Sequence, residues 1–85
     1  MYKVNKKDGV QEDFNDDKLM TGVIKAGGSS EEARKVLDEV KAWLPTTAIN
    51  NEVVSADLRA KVIESLKTLN PIASSSFEAY TKPME

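Results

Sequence analysis

Lys3, Lys6, Lys7 and Lys18 fall within the first eighteen residues, together with Glu12, Asn15 and two apolar side chains, Val4 and Phe14. Ammonium groups act as point charges for phosphate oxygens, while a carboxylate and a carboxamide read donors and acceptors on a ring edge. Valine and phenylalanine supply flat apolar surface. The mixture suits a small anionic ligand with a flat, apolar part. The start of a helix near these residues would add unpaired amide groups that favour phosphate.

Catalytic chemistry finds little support. The chain has no histidine and no cysteine, which removes the usual general base, the thiolate nucleophile and a thiolate zinc site. Ser74-Ser75-Ser76 has no histidine to activate it and reads as a hydroxyl run at a helix start. Asp16-Asp17 reads as an acidic first turn rather than a metal site. No Gly-x-x-x-x-Gly-Lys-Ser/Thr loop occurs, and Gly27-Gly28 marks a helix stop rather than a dinucleotide fingerprint. The expectation is a protein that is not an enzyme and holds no metal of its own.

The chain has 85 residues, 40% hydrophobic and 31% charged, with a net charge of −2. That suits one small soluble domain, expected in the cytoplasm. No run is long enough to span a bilayer, and no signal-peptide pattern occurs. The slight acidity argues against an extended polyanion as partner, so no direct nucleic-acid binding and no membrane association are expected.

The elements must bring the polar residues together. Residues 2–6 and 10–14 read as the strands of a hairpin, and the loop sets their register. A two-residue Asp8-Gly9 loop pairs Val4 with Asp13. A three-residue Lys7-Asp8-Gly9 loop, with Gly9 left-handed, pairs Val4 with Glu12, Lys6 with Val10 and Tyr2 with Phe14. The second register places Tyr2, Val4, Val10 and Phe14 on one face and is preferred. It also puts Lys6 and Glu12 on that face, as an ion pair at a wet edge or as holders of a ligand.

Asn15 has the chemistry of a helix N-cap for residues 16–26, with Leu19, Val23 and Ile24 on one side. Ser29 or Ser30 caps a second helix over 30–44, where Ser29 and Glu32 fit a capping box and Pro45 provides the stop. A third strand within 47–54 would join the hairpin. Ser55 then caps a helix over 56–69, and Asn70-Pro71 opens a last one over 71–81, ended by Pro83. Trp43 lies on the apolar stripe of the second helix, and Phe77 and Tyr80 on that of the last. The expected fold is α+β, mainly α: a four-helix bundle capped by a β-hairpin or a small three-stranded sheet, as one domain over 1–85.

Val-x-Lys-Lys-Asp-Gly, then Glu-x-Phe-Asn-x-x-Lys-Leu, then Ser-x-Asp-Leu-Arg at Ser55 to Arg59 resembles the ATP-cone. This regulatory nucleotide-binding domain occurs at the front of ribonucleotide reductase large subunits and in a bacterial repressor of reductase genes. The resemblance runs from Tyr2 to about Lys82 and includes Ala73, Phe77 and Tyr80 of the last helix. It implies ATP or dATP as a regulatory ligand, with Mg2+ carried by the triphosphate. Lys6 and Lys7 would hold phosphates, Glu12 and Asn15 would read the adenine edge, and Val4 and Phe14 would line the base pocket. Lys18, Ser55 and Arg59 would lie near the ribose and phosphates, with Lys82 as a further cation. The second basic position is commonly arginine in the family and is Lys7 here, which keeps the charge and loses the planar fork.

The resemblance implies a free-standing or excised cone that senses adenine nucleotide and acts through a protein partner or self-association. The alternative is a helical protein-interaction module that binds no nucleotide and docks through Trp43 and the edge of the second helix.

Overall fold

The computed structural model describes residues 2–80. Pro83 as a helix stop and Lys82 as a ligand contact lie outside those residues, as does the side chain of Tyr80. The order of elements is β1 (Lys3–Asn5), β2 (Gln11–Asp13), α1 (Asp16–Lys25), α2 (Ser30–Thr47), β3 (Glu52–Val54), α3 (Ser55–Leu69) and α4 (Pro71–Tyr80). The chain is thus mainly helical with a small three-stranded sheet, ordered β2-β1-β3. Among the described residues no helix is long and apolar enough to cross a membrane.

The hairpin takes the three-residue loop. Val4 faces Glu12 across the antiparallel β1–β2 pair, Lys6 N–H donates to Val10 O at 2.8 Å, and Phe14 N–H donates to Tyr2 O at 2.8 Å. Gly9 adopts φ +90°, which glycine reaches without a Cβ penalty. The Asp8 carboxylate accepts from Val10 N–H at 3.0 Å and fixes the tip. Val10 itself is 49% exposed, contrary to its expected inward place, because it sits beyond the short strands where nothing covers it.

β3 pairs parallel to β1, with Val4 opposite Val53 and Asn5 opposite Val54. A tight turn makes this approach: Asn50 and Asn51 both have positive φ, 54° and 64°, and Ile49 and Glu52 exchange backbone hydrogen bonds at 3.0 Å. Two consecutive left-handed residues form the turn whose twist matches paired strands, and asparagine tolerates it best after glycine. The strand is shorter than the 47–54 window, and Ile49 is 75% exposed. On the outer face a polar ladder crosses all three strands: Gln11 Nε2 donates to Asn5 Oδ1 and Asn5 Nδ2 to Glu52 Oε1, each at 2.9 Å.

α1 starts at Asn15, whose Oδ1 accepts from Lys18 N–H at 3.0 Å. It stops through paired bonds from Gly27 N–H to Ile24 O and Gly28 N–H to Val23 O, both 3.0 Å, with Gly27 at φ +108°. Val23 is fully buried, whereas Ile24, expected on the same side, is 45% exposed because it points one step round the helix. α2 carries the full Ser29–Glu32 capping box.

α2 runs through Pro45 instead of stopping there. Pro45 and Lys41 are both exposed, so water can replace the amide donor that the proline removes, while the fully buried Leu44 anchors the turn. Thr46 Oγ1 donates to Trp43 O at 2.6 Å, and Ala48 N–H donates to Leu44 O at 2.8 Å. Ser55 is not a cap either. β3 runs straight into α3, Val54 takes the cap position, and no side chain caps this helix.

α1 packs on α2, α2 on α3, α3 on α4, and α4 returns to α1. One core joins Val4 and Val53 of the sheet to Val23, Val36, Val40, Leu44, Val62, Leu66 and Phe77 of the helices. Trp43 lies half-buried against it.

Candidate functional site

A cavity of about 430 Å3 opens where the hairpin, the start of α1 and the start of α3 meet. That volume is within the range of roughly 300–1,000 Å3 usual for small-molecule sites. Of the nine residues singled out in the sequence, Val4, Lys6, Glu12, Phe14, Asn15, Lys18, Ser55 and Arg59 line it. Lys7 is not among its lining residues; it occupies the turn at the hairpin tip.

Each wall follows from local structure. Val4 and Glu12 are register partners and project to the same face of the sheet, as period-two alternation requires. Asn15 and Lys18 stand at the first turn of α1, where the cap orients them. Ser55, Leu58, Arg59 and Val62 recur at i, i+3, i+4 and i+7, so one face of α3 presents both polar and apolar groups to the cavity. β3 delivers this face, because Val54 pairs with β1 immediately before α3 begins.

The apolar floor was not assigned to the site in the sequence. None of Leu19, Leu58, Val62 and Phe77 is named there as a ligand contact, yet all four line the cavity. Val62 and Phe77 are buried, at 2% and 7% exposure, so they belong to core and cavity wall together. The signal was available in α3, where polar Ser55 and Arg59 interleave with apolar Leu58 and Val62 on one face.

Charge is arranged around Glu12. Its Oε2 lies 3.1 Å from Lys6 Nζ and its Oε1 lies 3.3 Å from Lys18 Nζ. Hydrogen bonds from Lys6 and then Lys18 hold the Glu12 carboxyl below its ordinary range, against a smaller opposing effect of partial desolvation. The carboxylate therefore stays ionised at neutral pH. Lys6, Lys18 and Arg59 share the lining with Asp8, Glu12 and Asp13, of which Asp13 is paired with Lys3, so the positive charge left over is small. Arg59 reaches across to α4, where its Nη2 donates to Glu78 O at 3.2 Å. Among the described residues no group of three His, Cys, Asp or Glu side chains could hold a metal ion.

The arrangement combines an apolar floor, a carboxylate and carboxamide at one side, and three cations at the rim. A family model described as the ATP cone domain matches residues 2–82. Two similar curated proteins carry the name transcriptional repressor NrdR. One, from Petrotoga mobilis, is 30% identical over 84 residues, covering 94% of this chain and 55% of the relative. The other, from Symbiobacterium thermophilum, is 36% identical over 74 residues, covering 82% of this chain and 49% of the relative. The chain thus spans about half the length of these relatives. Their name corrects one expectation. Repression of transcription is exercised on DNA, so the inference of no direct nucleic-acid binding, which rested on a net charge of −2, does not stand.

Proposed function

The chain belongs to the ATP-cone family, and from that premise we propose that it is a nucleotide-sensing regulatory domain whose ligand, ATP or dATP, occupies the cavity between hairpin and helices. The observation that carries this reading is the meeting of Val4, Lys6, Glu12, Phe14, Asn15, Lys18, Ser55 and Arg59 around one cavity. They come from two separate stretches of the sequence, 4–18 and 55–59, and a bland hairpin surface would not require them.

In this reading the adenine ring lies over Val4, Phe14 and the floor residues Leu58 and Val62. Glu12 accepts from the exocyclic amine. Asn15, whose oxygen is committed to the helix cap, offers its amide N–H groups to a ring nitrogen. Lys6, Lys18 and Arg59 take the phosphates, with Ser55 near the ribose and Lys7 a longer-range contributor of charge. Mg2+ arrives with the triphosphate. In this reading the chain acts without catalysis: it lacks histidine and cysteine, and Glu12 at the cavity is engaged by two lysines.

The sheet serves as a cap over the helices, and nucleotide shifts the balance between surfaces that the domain presents to a protein partner or a second copy. The repressor relatives favour a part in transcriptional control, in the cytoplasm where nucleotide pools are sensed, with this domain as the sensing half. Titration with ATP and dATP, followed by backbone amide shifts, tests the reading. Shifts concentrated at residues 4–18 and 55–62, displaced to higher ATP concentration in Lys6→Ala, are expected. Absence of any shift at millimolar ATP would leave the protein-interaction alternative.

A further inference from the structure

Glu12 holds two ammonium groups at once, through different oxygens, at 3.1 Å from Lys6 and 3.3 Å from Lys18. The three side chains come from the end of the first strand, the second strand and the first helix, and all line the cavity. Two of the cations best placed for phosphate are thus already matched with a counterion. Asp8 adds a further negative charge to the lining that Arg59 shares, and Asp13 is paired with Lys3, so the lining presents no large surplus of positive charge.

An anion entering such a cavity competes with a charge that is already there. To use Lys6 and Lys18 it must draw them off Glu12, and it then lies beside an exposed carboxylate. Like charges a few ångströms apart repel even near a wet surface. A ligand compensates when it brings N–H donors to the carboxylate as the lysines leave, because an ionised acceptor left without a donor is costly. The amine of an adenine ring supplies such a donor. A bare polyphosphate does not.

We propose that Glu12 is a specificity-determining counterion that withholds Lys6 and Lys18 from base-free phosphates and releases them to a ligand whose base carries an amino group. The inference rests on the nucleotide reading and deepens it. Its consequence is a cationic rim that binds phosphate and polyphosphate weakly and responds to the intact nucleotide.

Calorimetric titration of tripolyphosphate and of ATP into the wild-type chain, Glu12→Gln and Glu12→Ala, at one ionic strength, tests this. Both variants should bind tripolyphosphate roughly three- to tenfold more tightly than wild type, the scale of two relieved exposed ion pairs. The advantage of ATP over tripolyphosphate should shrink by at least as much. Glu12 is only half-buried on a strand, with 38% side-chain exposure, so the substitutions spare the core. In the wild-type chain, the carboxyl-carbon resonance of Glu12 should move on adding ATP and stay in place with tripolyphosphate. Unchanged or weaker tripolyphosphate binding in both variants, or equal movement of that resonance with both ligands, would overturn the proposal while leaving ATP binding intact. A wild-type chain that binds neither ATP nor dATP would instead defeat the nucleotide reading, and with it the proposal.

Discussion

Asn70 Nδ2 donates to Glu32 Oε1 at 3.1 Å, and that same carboxylate oxygen accepts from Ser29 N–H at 2.9 Å. One side chain therefore ties the start of α2 to the joint between α3 and α4. Asn70 is also the cap of α4, since its Oδ1 accepts from Ala73 N–H at 3.1 Å, and its own N–H closes α3 on Leu66 O at 2.7 Å. Three helix ends meet at one carboxamide. Asn70→Ala should cost about 1–2 kcal/mol, the size of a lost cap plus a lost bridge, read from urea unfolding.

Acid should weaken the same joint. The Ser29 backbone N–H first, and Asn70 second, hold the Glu32 carboxyl below its ordinary value of 4.5. A depressed folded-state value means that the ionised form favours the fold. Its contribution is complete above the unfolded value and fades as pH falls through the folded one. Glu12, lowered by Lys6 and Lys18, acts in the same direction. Stability followed by circular dichroism should fall as pH drops below about 4.5, the unfolded carboxyl range. The fall should be shallower in the double variant Glu12→Gln, Glu32→Gln.

Two glycines should respond oppositely to alanine. A Cβ on Gly22 would meet Phe77 Cε2 at 3.5 Å, an ordinary contact, and Gly22 lies inside α1. Gly22→Ala should stabilise by about 0.5–1 kcal/mol through helix propensity alone. A Cβ on Gly28 would lie 2.8 Å from Val23 Cγ1 and 3.1 Å from Val23 O, in a buried corner that cannot yield. Gly28→Ala should lower the melting temperature.

The Asn50-Asn51 turn should reject β-branched residues. Asn50→Val or Asn51→Val should each cost about 1–2 kcal/mol, the price of a left-handed conformation for a bulky residue. Asn51→Gly should be neutral or mildly stabilising. Because β3 leads directly into α3, the valine variants should also weaken ATP binding more than an equally destabilising change in the far ends of the helices.

At the rim, Lys6→Ala and Arg59→Ala should each weaken ATP by roughly tenfold or more, as expected for loss of a charge-assisted contact. Lys7→Ala should have a smaller effect, since Lys7 does not line the cavity. Fluorescence or calorimetric titration at two salt concentrations checks this, with the Lys7 effect shrinking at the higher one.

The hairpin register was legible because alternation and the Asp8-Gly9 tip constrain each other. The caps at Asn15 and Ser29 were legible because local side-chain chemistry decides them. Pro45 misled, since a proline stops a helix only where the freed carbonyl has no other partner, and exposure on one side is a tertiary property. Ser55 misled for a related reason: serine before an acidic residue reads as a cap until a strand is found to end one residue earlier. The floor of the cavity was hidden in plain stripes, because an apolar residue facing a core and one facing a ligand obey the same spacing. Lys6 and Glu12 sharing a face could be read, but the second cation on Glu12 required the turn of α1 to be seen.

The parallel pairing of β1 with β3 has a bearing on how the molecule comes to exist. Asn5 reaches Glu52 across a separation of 47 residues, and the intervening chain includes two helices. During synthesis the hairpin can emerge with its lysines and glutamate in place and still have no far wall. Closing a loop of that length is slow relative to local helix and hairpin formation. In the proposed function, nucleotide capture would then be one of the last events in maturation. A bound nucleotide would certify an assembled cavity before it could answer to cellular concentrations.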